Sequence, residues 1–171
     1  MAKRISLREF QQNLSMRLTS AGQAGQAAGL LGVESGNDRW LLNLAEAGEV
    51  IPSPPISDVP LTRSWYLGLT NVRGVLFSVV DLARFHGQES TPVNSQARLL
   101  LVGNRYGLNS ALLATRAAGL KRQEDLEFLG NDTDPNRPWA GDRYRDPAGV
   151  EWRQLRVQAL LASPAFLDIA L

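Results

Sequence analysis

A chain of 171 residues, 44% hydrophobic and 20% charged, has the composition of an ordinary folded domain and enough length for a sizeable core. With 18 Lys plus Arg against 17 Asp plus Glu, it lacks the basic surplus that nucleic acid or an anionic lipid surface calls for. It has no cysteine and one histidine, His86, which excludes disulfides and Cys-ligated metals and leaves little for phosphorelay, triad or zinc chemistry.

In chain order, Ser6-Leu7-Arg8-Glu9 fits a capping box, and Ile5 and Phe10 occupy the positions of a hydrophobic staple. Leu7, Phe10, Leu14 and Leu18 follow at helical spacing, so residues 1–20 are expected to form an amphipathic helix. Residues 21–38, with Gly22, Gly25, Gly29 and Gly32 among Ala, Gln and Ser, read as a flexible linker. Residues 39–171 are left as the main domain. No apolar run follows Lys3 and Arg4 as a secretory leader needs, and none reaches the ~18 residues of a membrane span. The expectation is a cytoplasmic protein without direct membrane insertion.

From Trp40 onward the signals are mostly those of strands. Trp40–Ala45 and Gly48–Ile51 are short apolar runs. Pro52, Pro54, Pro55 and Pro60 fill a rigid loop, because proline cannot donate to a sheet ladder. Leu61–Tyr66 reads as a helical turn. Val75–Val80 is nearly all apolar and suits a strand buried on both faces. Leu99–Val102, a turn at Asn104-Arg105, and Tyr106–Leu113 read as a hairpin. Residues 121–149, polar and broken by Pro135, Pro138 and Pro147, are expected to be a long loop ending in an Asp146–Gly149 turn. Trp152–Val157 suits one more strand, and Ser163-Pro164 opens a last short helix. Many short strands with turns between them indicate a barrel or sandwich.

Chemistry is sparse along this chain. His86, just past a strand, reads as a surface loop residue. Asp132-Thr133-Asp134-Pro135-Asn136 imitates the start of a calcium loop, but Arg137 and Arg143 stand where glycine and a bidentate glutamate belong. Glu46, Glu49 and Asp81 would serve a carboxylate-dependent hydrolase only if they met in one deep pocket. No catalytic residue, cofactor or metal is therefore assigned.

The informative stretch is Leu67-Gly68-Leu69-Thr70-Asn71-Val72-Arg73-Gly74-Val75. Gly68 and Gly74 permit positive φ or close backbone approach. They flank a polar loop whose Arg73 can offer a fork of donors to a partner carboxylate. The run Gly68-x-x-Asn71-Val72-Arg73-Gly74, followed by Val79-Val80-Asp81-Leu82, resembles the signature of the CheW-like chemotaxis coupling proteins. Pro60 with Trp65-Tyr66, and Glu49-Val50-Ile51, fall where that family has matching residues. The tail Tyr144-Arg145-Asp146-x-x-Gly149-x-x-Trp152-Arg153-x-Leu155, ending near Pro164-x-Phe166-Leu167-Asp168-Ile169, is similar to the PilI-like coupling proteins of type IV pilus (twitching motility) chemosensory systems. Two departures stand out: Ser78 replaces a usual Pro, and Thr115 a usual Asp.

The resemblance implies a mainly β fold of two five-stranded SH3-like barrel subdomains with short helices, to which the N-terminal helix is added. It implies a non-catalytic adaptor, recruited to membrane-anchored receptor arrays. Its partners would be the cytoplasmic tip of a methyl-accepting chemoreceptor and the regulatory domain of a CheA-like histidine kinase. Asn71, Arg73 and Gly74, with Glu49, Val50 and Ile51 beside them, are the partner-binding residues by that resemblance. A stand-alone SH3-like peptide-binding or pilus-assembly module remains the alternative, with the hydrolase behind it.

Overall fold

The computed structural model describes residues 29–131 and 133–171; the expected N-terminal helix and residues 21–28 of the expected linker lie outside them. The strands are β1 (Gly29–Ser35), β2 (Asp38–Asn43), β3 (Glu49–Pro52), β4 (Tyr66–Val72), β5 (Val75–Asp81) and β6 (Arg98–Val102). They continue with β7 (Ser110–Ala114), β8 (Arg116–Arg122), β9 (Glu127–Gly130), β10 (Ala140–Arg145) and β11 (Glu151–Leu155). Among the described residues, four short α-helices accompany them: α1 (Leu44–Ala47), α2 (Leu82–Phe85), α3 (Val157–Ala162) and α4 (Pro164–Leu167). One sheet has six strands in the order β8-β1-β2-β11-β10-β9, and the other has five in the order β3-β6-β7-β5-β4. The mainly β expectation holds, with six strands rather than five in one of the sheets.

The central strands of the five-stranded sheet are buried on both faces, which explains their unbroken apolar runs. Side chains alternate across a strand, so Leu99 and Leu101 of β6 point to one core while Leu100 and Val102 point to another. The same split separates Ala111 and Leu113 from Leu112 and Ala114 in β7. The first core lies between the sheets. It joins Leu31, Val33, Trp40 and Leu42 to Val80, Leu100 and Leu112, and α3 and α4 add Leu160, Leu161 and Phe166. The second core packs Phe77, Val79, Leu99 and Leu113 beneath Ile51, Ile56 and Leu67.

Three regions differ from the sequence reading. Gly29–Ser35 is the strand β1, not linker, paired on both sides by β2 and β8. Its glycine content has a packing cause, because a Cβ on Gly32 would meet the Trp152 ring at 3.1 Å. Residues 121–149 carry β9 and β10 instead of one long loop, their polar sequence suiting strands that face solvent. Leu61–Tyr66 forms no helix; Thr62 bridges to Ala170, and Arg63 N–H donates to the Ile169 carbonyl.

Candidate protein-docking site

β4 and β5 form an antiparallel hairpin in which Val72 faces Val75. Only Arg73 and Gly74 lie between them, with φ of 50° and 84°. Two successive positive φ values are the type I′ pattern, whose twist matches that of the flanking strands. The Asn71 side-chain oxygen accepts from Gly74 N–H at 2.8 Å and closes the turn. The loop expected around Asn71–Gly74 is thus a strand end plus a two-residue turn. Left-handed backbone costs a non-glycine residue about 1–2 kcal/mol, so Arg73 is held in a conformation where Asn or Gly would sit more easily.

The Arg73 guanidinium pairs with the Glu49 carboxylate at the start of β3. β3 and β4 are the outermost strands of their sheet, so this contact shows the sheet curling until its edges approach. Gly48 lets the start of β3 lie close on its ladder neighbour β6: its φ is 55°, and a Cβ there would meet the Leu101 carbonyl oxygen at 2.3 Å. Gly68 likewise lets residues 57–58 lie close on β4, where a Cβ would lie 1.9 Å from the Ser57 carbonyl oxygen. A cleft of about 340 Å³ opens beside the ion pair, walled by Val72, Val75, Phe77 and Leu101. Val75 and Leu76 are 44% and 58% exposed, so an apolar step adjoins the charged tip.

The structure therefore brings Asn71, Arg73, Gly74 and Glu49 to one place. Val50 and Ile51 are half-buried and pack against the first and second cores respectively, which makes them supports of β3. Leu76 escaped the sequence reading because it sits in a run that suggested burial. Its exposure is set by its position at the very start of β5.

Asp81 lies at the other end of β5. It is 1% exposed and accepts from Thr91 Oγ1 at 2.7 Å, Thr91 N–H at 2.8 Å and Ala83 N–H at 3.1 Å. Six residues of strand put it ~20 Å from the Arg73 turn. Glu46 accepts from the Tyr106 hydroxyl, while Glu49 is engaged by Arg73. The three carboxylates that a hydrolase would need do not share a pocket. Asp134 closes its own turn by accepting from Asn136 N–H and pairing with Arg137. Among the described residues, no group of acids and histidine is arranged to hold a metal ion.

His86 is not the surface loop residue expected from the sequence. It follows α2, accepts from the Trp139 indole N–H at 3.0 Å and stacks on Trp40 with ring centroids 5.0 Å apart. Burial pushes its pKa below the ordinary 6.5, against the pull of nearby Asp38. Such partners, distant along the chain, leave no local signature. The two departures also find roles. Ser78 N–H donates to the Asn109 carbonyl, a bond that proline could not make. Thr115 Oγ1 accepts from Gly36 N–H and holds the β1–β2 turn.

The CheW-like domain family matches residues 29–137, well over half of the chain, and the chain belongs to that family. It is also similar to Protein PilI of Pseudomonas aeruginosa, at 32% identity over 91 residues. That match covers 53% of the chain and 51% of PilI, so the chain aligns with about half of its curated relative. In fold it resembles the scaffolding protein TtCheW of Thermoanaerobacter tengcongensis, with a TM-score of 0.66. That likeness, at 15% identity, covers 81% of this chain and 95% of the other. No helix among the described residues is long and apolar enough to cross a membrane.

Proposed function

We propose that the chain is a non-catalytic adaptor that couples a methyl-accepting chemoreceptor to a CheA-like histidine kinase in the control of type IV pilus motility. The observation that carries this reading is the type I′ turn, which fixes Arg73 at an exposed tip beside Glu49, Val75 and Leu76. A rigid guanidinium next to exposed apolar side chains has the makeup of an interface centre with a charged anchor. Asn71 and Gly74 hold the tip in shape, Glu49 orients Arg73, and Val50 and Ile51 seat β3 behind it. The pilus assignment rests on the likeness to PilI, and the receptor and kinase assignments rest on membership of the CheW-like family. The protein acts in the cytoplasm, at receptor arrays.

The test uses Arg73→Glu in a pull-down with the receptor's cytoplasmic tip and, separately, the kinase regulatory domain. The variant is expected to stay folded and to lose at least one partner, since removing an interface anchor commonly costs ~2 kcal/mol or more. Retention of both partners at wild-type levels would remove the tip from the docking surface.

A further inference from the structure

The six-stranded sheet carries a second feature, remote from the Arg73 turn. Arg143 of β10 and Arg153 of β11 stand directly opposite each other in the antiparallel ladder. Both are partly buried, and like charges facing one another across a ladder destabilise a sheet. Arg39 of β2 and Arg137 of the loop before β10 converge on the same place, and the four arginines line one cavity of about 270 Å³. Two acids, Asp38 and Glu151, also line it. Each is engaged elsewhere, Asp38 by the Gln88 side-chain amide and Glu151 by Arg145.

The arginines have contacts within the chain too. Arg143 and Arg153 are both engaged, and Arg39 and Arg137 approach Glu34 and Asp134 through Nε. Even so, the cavity lining carries four positive charges against two negative ones. A guanidinium offers five N–H donors in a planar fork, so a single contact through Nε leaves the outer fork of Arg39 and Arg137 for another oxyanion. An independent observation points the same way. Trp40 also lines the cavity, and its indole nitrogen, in a side chain 2% exposed, meets no acceptor among the described residues. Buried donors are ordinarily satisfied.

We propose that this cavity is a second docking site, which takes the carboxylates of an acidic segment of a partner protein. Charge complementarity selects the occupant: the chain is nearly neutral overall, at +1, whereas this cavity lining holds four arginines against two acids. Bidentate guanidinium–carboxylate pairing through the outer forks of Arg39 and Arg137 would hold the segment in place.

Calorimetric titration of the full chain with a hexaglutamate peptide tests this, with hexalysine and inorganic phosphate in separate arms. Saturable, salt-sensitive binding of hexaglutamate alone is expected. Arg39→Glu/Arg137→Glu should weaken it by roughly tenfold or more, while Arg105→Glu/Arg122→Glu, the same charge change at exposed positions elsewhere, should leave it nearly unchanged. All four positions are exposed, and thermal melting of each variant checks folding. The neutral pair Arg39→Gln/Arg137→Gln should weaken binding in the same direction by less. Equal loss in both charge-reversal variants, or no hexaglutamate binding, would overturn the proposal. Phosphate binding without peptide binding would do so as well, making the cavity a small-anion site.

Discussion

The two ends of β5 make the informative comparison. At its start, Arg73 and Glu49 form an ion pair whose side chains are 69% and 45% exposed, flanked by exposed Val75 and Leu76. At its finish, Asp81 is buried and caps α2 while accepting twice from Thr91. Both ends carry polar residues of the family signature, yet their physics is opposite. An exposed ion pair contributes ~0–1 kcal/mol, whereas a buried carboxylate that satisfies several donors cannot be removed without orphaning them. One strand thus anchors the fold at one end and, in the proposed adaptor, presents the docking surface at the other.

The sharpest way to break that comparison is Asp81→Ala. It removes a helix cap, worth ~1 kcal/mol, and leaves buried Thr91 groups unsatisfied at ~1–3 kcal/mol more. Urea denaturation should show a loss of about 3 kcal/mol; a loss under ~1 kcal/mol would mean that water replaces the carboxylate and that the buried end is no anchor. Gly68→Ala comes next. Its φ of 125° and the nearby Ser57 carbonyl oxygen force backbone movement between β4 and residues 57–58, with an expected cost of about 2 kcal/mol. Because the strain falls on β4, partner binding at the Arg73 turn should weaken with stability, which a pull-down against the melting curve would reveal.

A pH series probes the junction between the sheets, where His86 accepts from Trp139. Burial lowers the folded-state pKa below the ordinary 6.5, so the unfolded chain binds the proton more readily. Stability should therefore be complete above about pH 6.5 and fall as the pH drops below it, by at most ~1.4 kcal/mol per unit. His86→Gln should flatten the slope between pH 7.5 and pH 5.5, where other groups with resolved shifts, such as Glu34, which Arg116 holds below its ordinary value, do not titrate. An unchanged slope in that variant would show that the imidazole is not the group responsible.

How much of this was legible in the sequence follows from where each signal is stored. β6 and β7 were readable because burial on both faces writes an unbroken apolar run into the chain, and β5 was readable by a similar run although its Val75 and Leu76 are exposed. Gly68 and Gly74 marked a polar loop before β5, since glycine tolerates positive φ, but the tight two-residue turn and the pairing of Arg73 with Glu49 depend on strand register and on the curl of a whole sheet. β1 was read as linker because Gly32 makes room for Trp152, a residue that sequence reasoning had no reason to place beside it. β10, Ala-Gly-Asp-Arg-Tyr-Arg, is half-exposed along most of its length and lacks the alternation that marks a strand with one buried face. The arginine cavity is assembled from β2, β10, β11 and a loop, so no window of sequence contains it.

The smallest expected change in stability belongs to Arg73→Asn, and it sharpens the comparison most. Asparagine tolerates left-handed backbone, and Asn-Gly is a favoured pair for a type I′ turn. The substitution relieves up to about 1 kcal/mol of backbone strain and forfeits an exposed ion pair of similar or smaller worth. The melting temperature should thus stay level or rise slightly. Partner binding should nevertheless fall as far as in Arg73→Glu, because the turn keeps its shape while the guanidinium is gone. Glu49→Gln separates the two roles of the pair. If Glu49 serves to orient Arg73, binding weakens only in the presence of Arg73, and a double-mutant cycle returns a coupling of ~1 kcal/mol or more. Additive losses would mean that both side chains contact the partner independently. A melting temperature that drops in Arg73→Asn would show instead that Arg73 supports the fold, and the contrast between the ends of β5 would disappear.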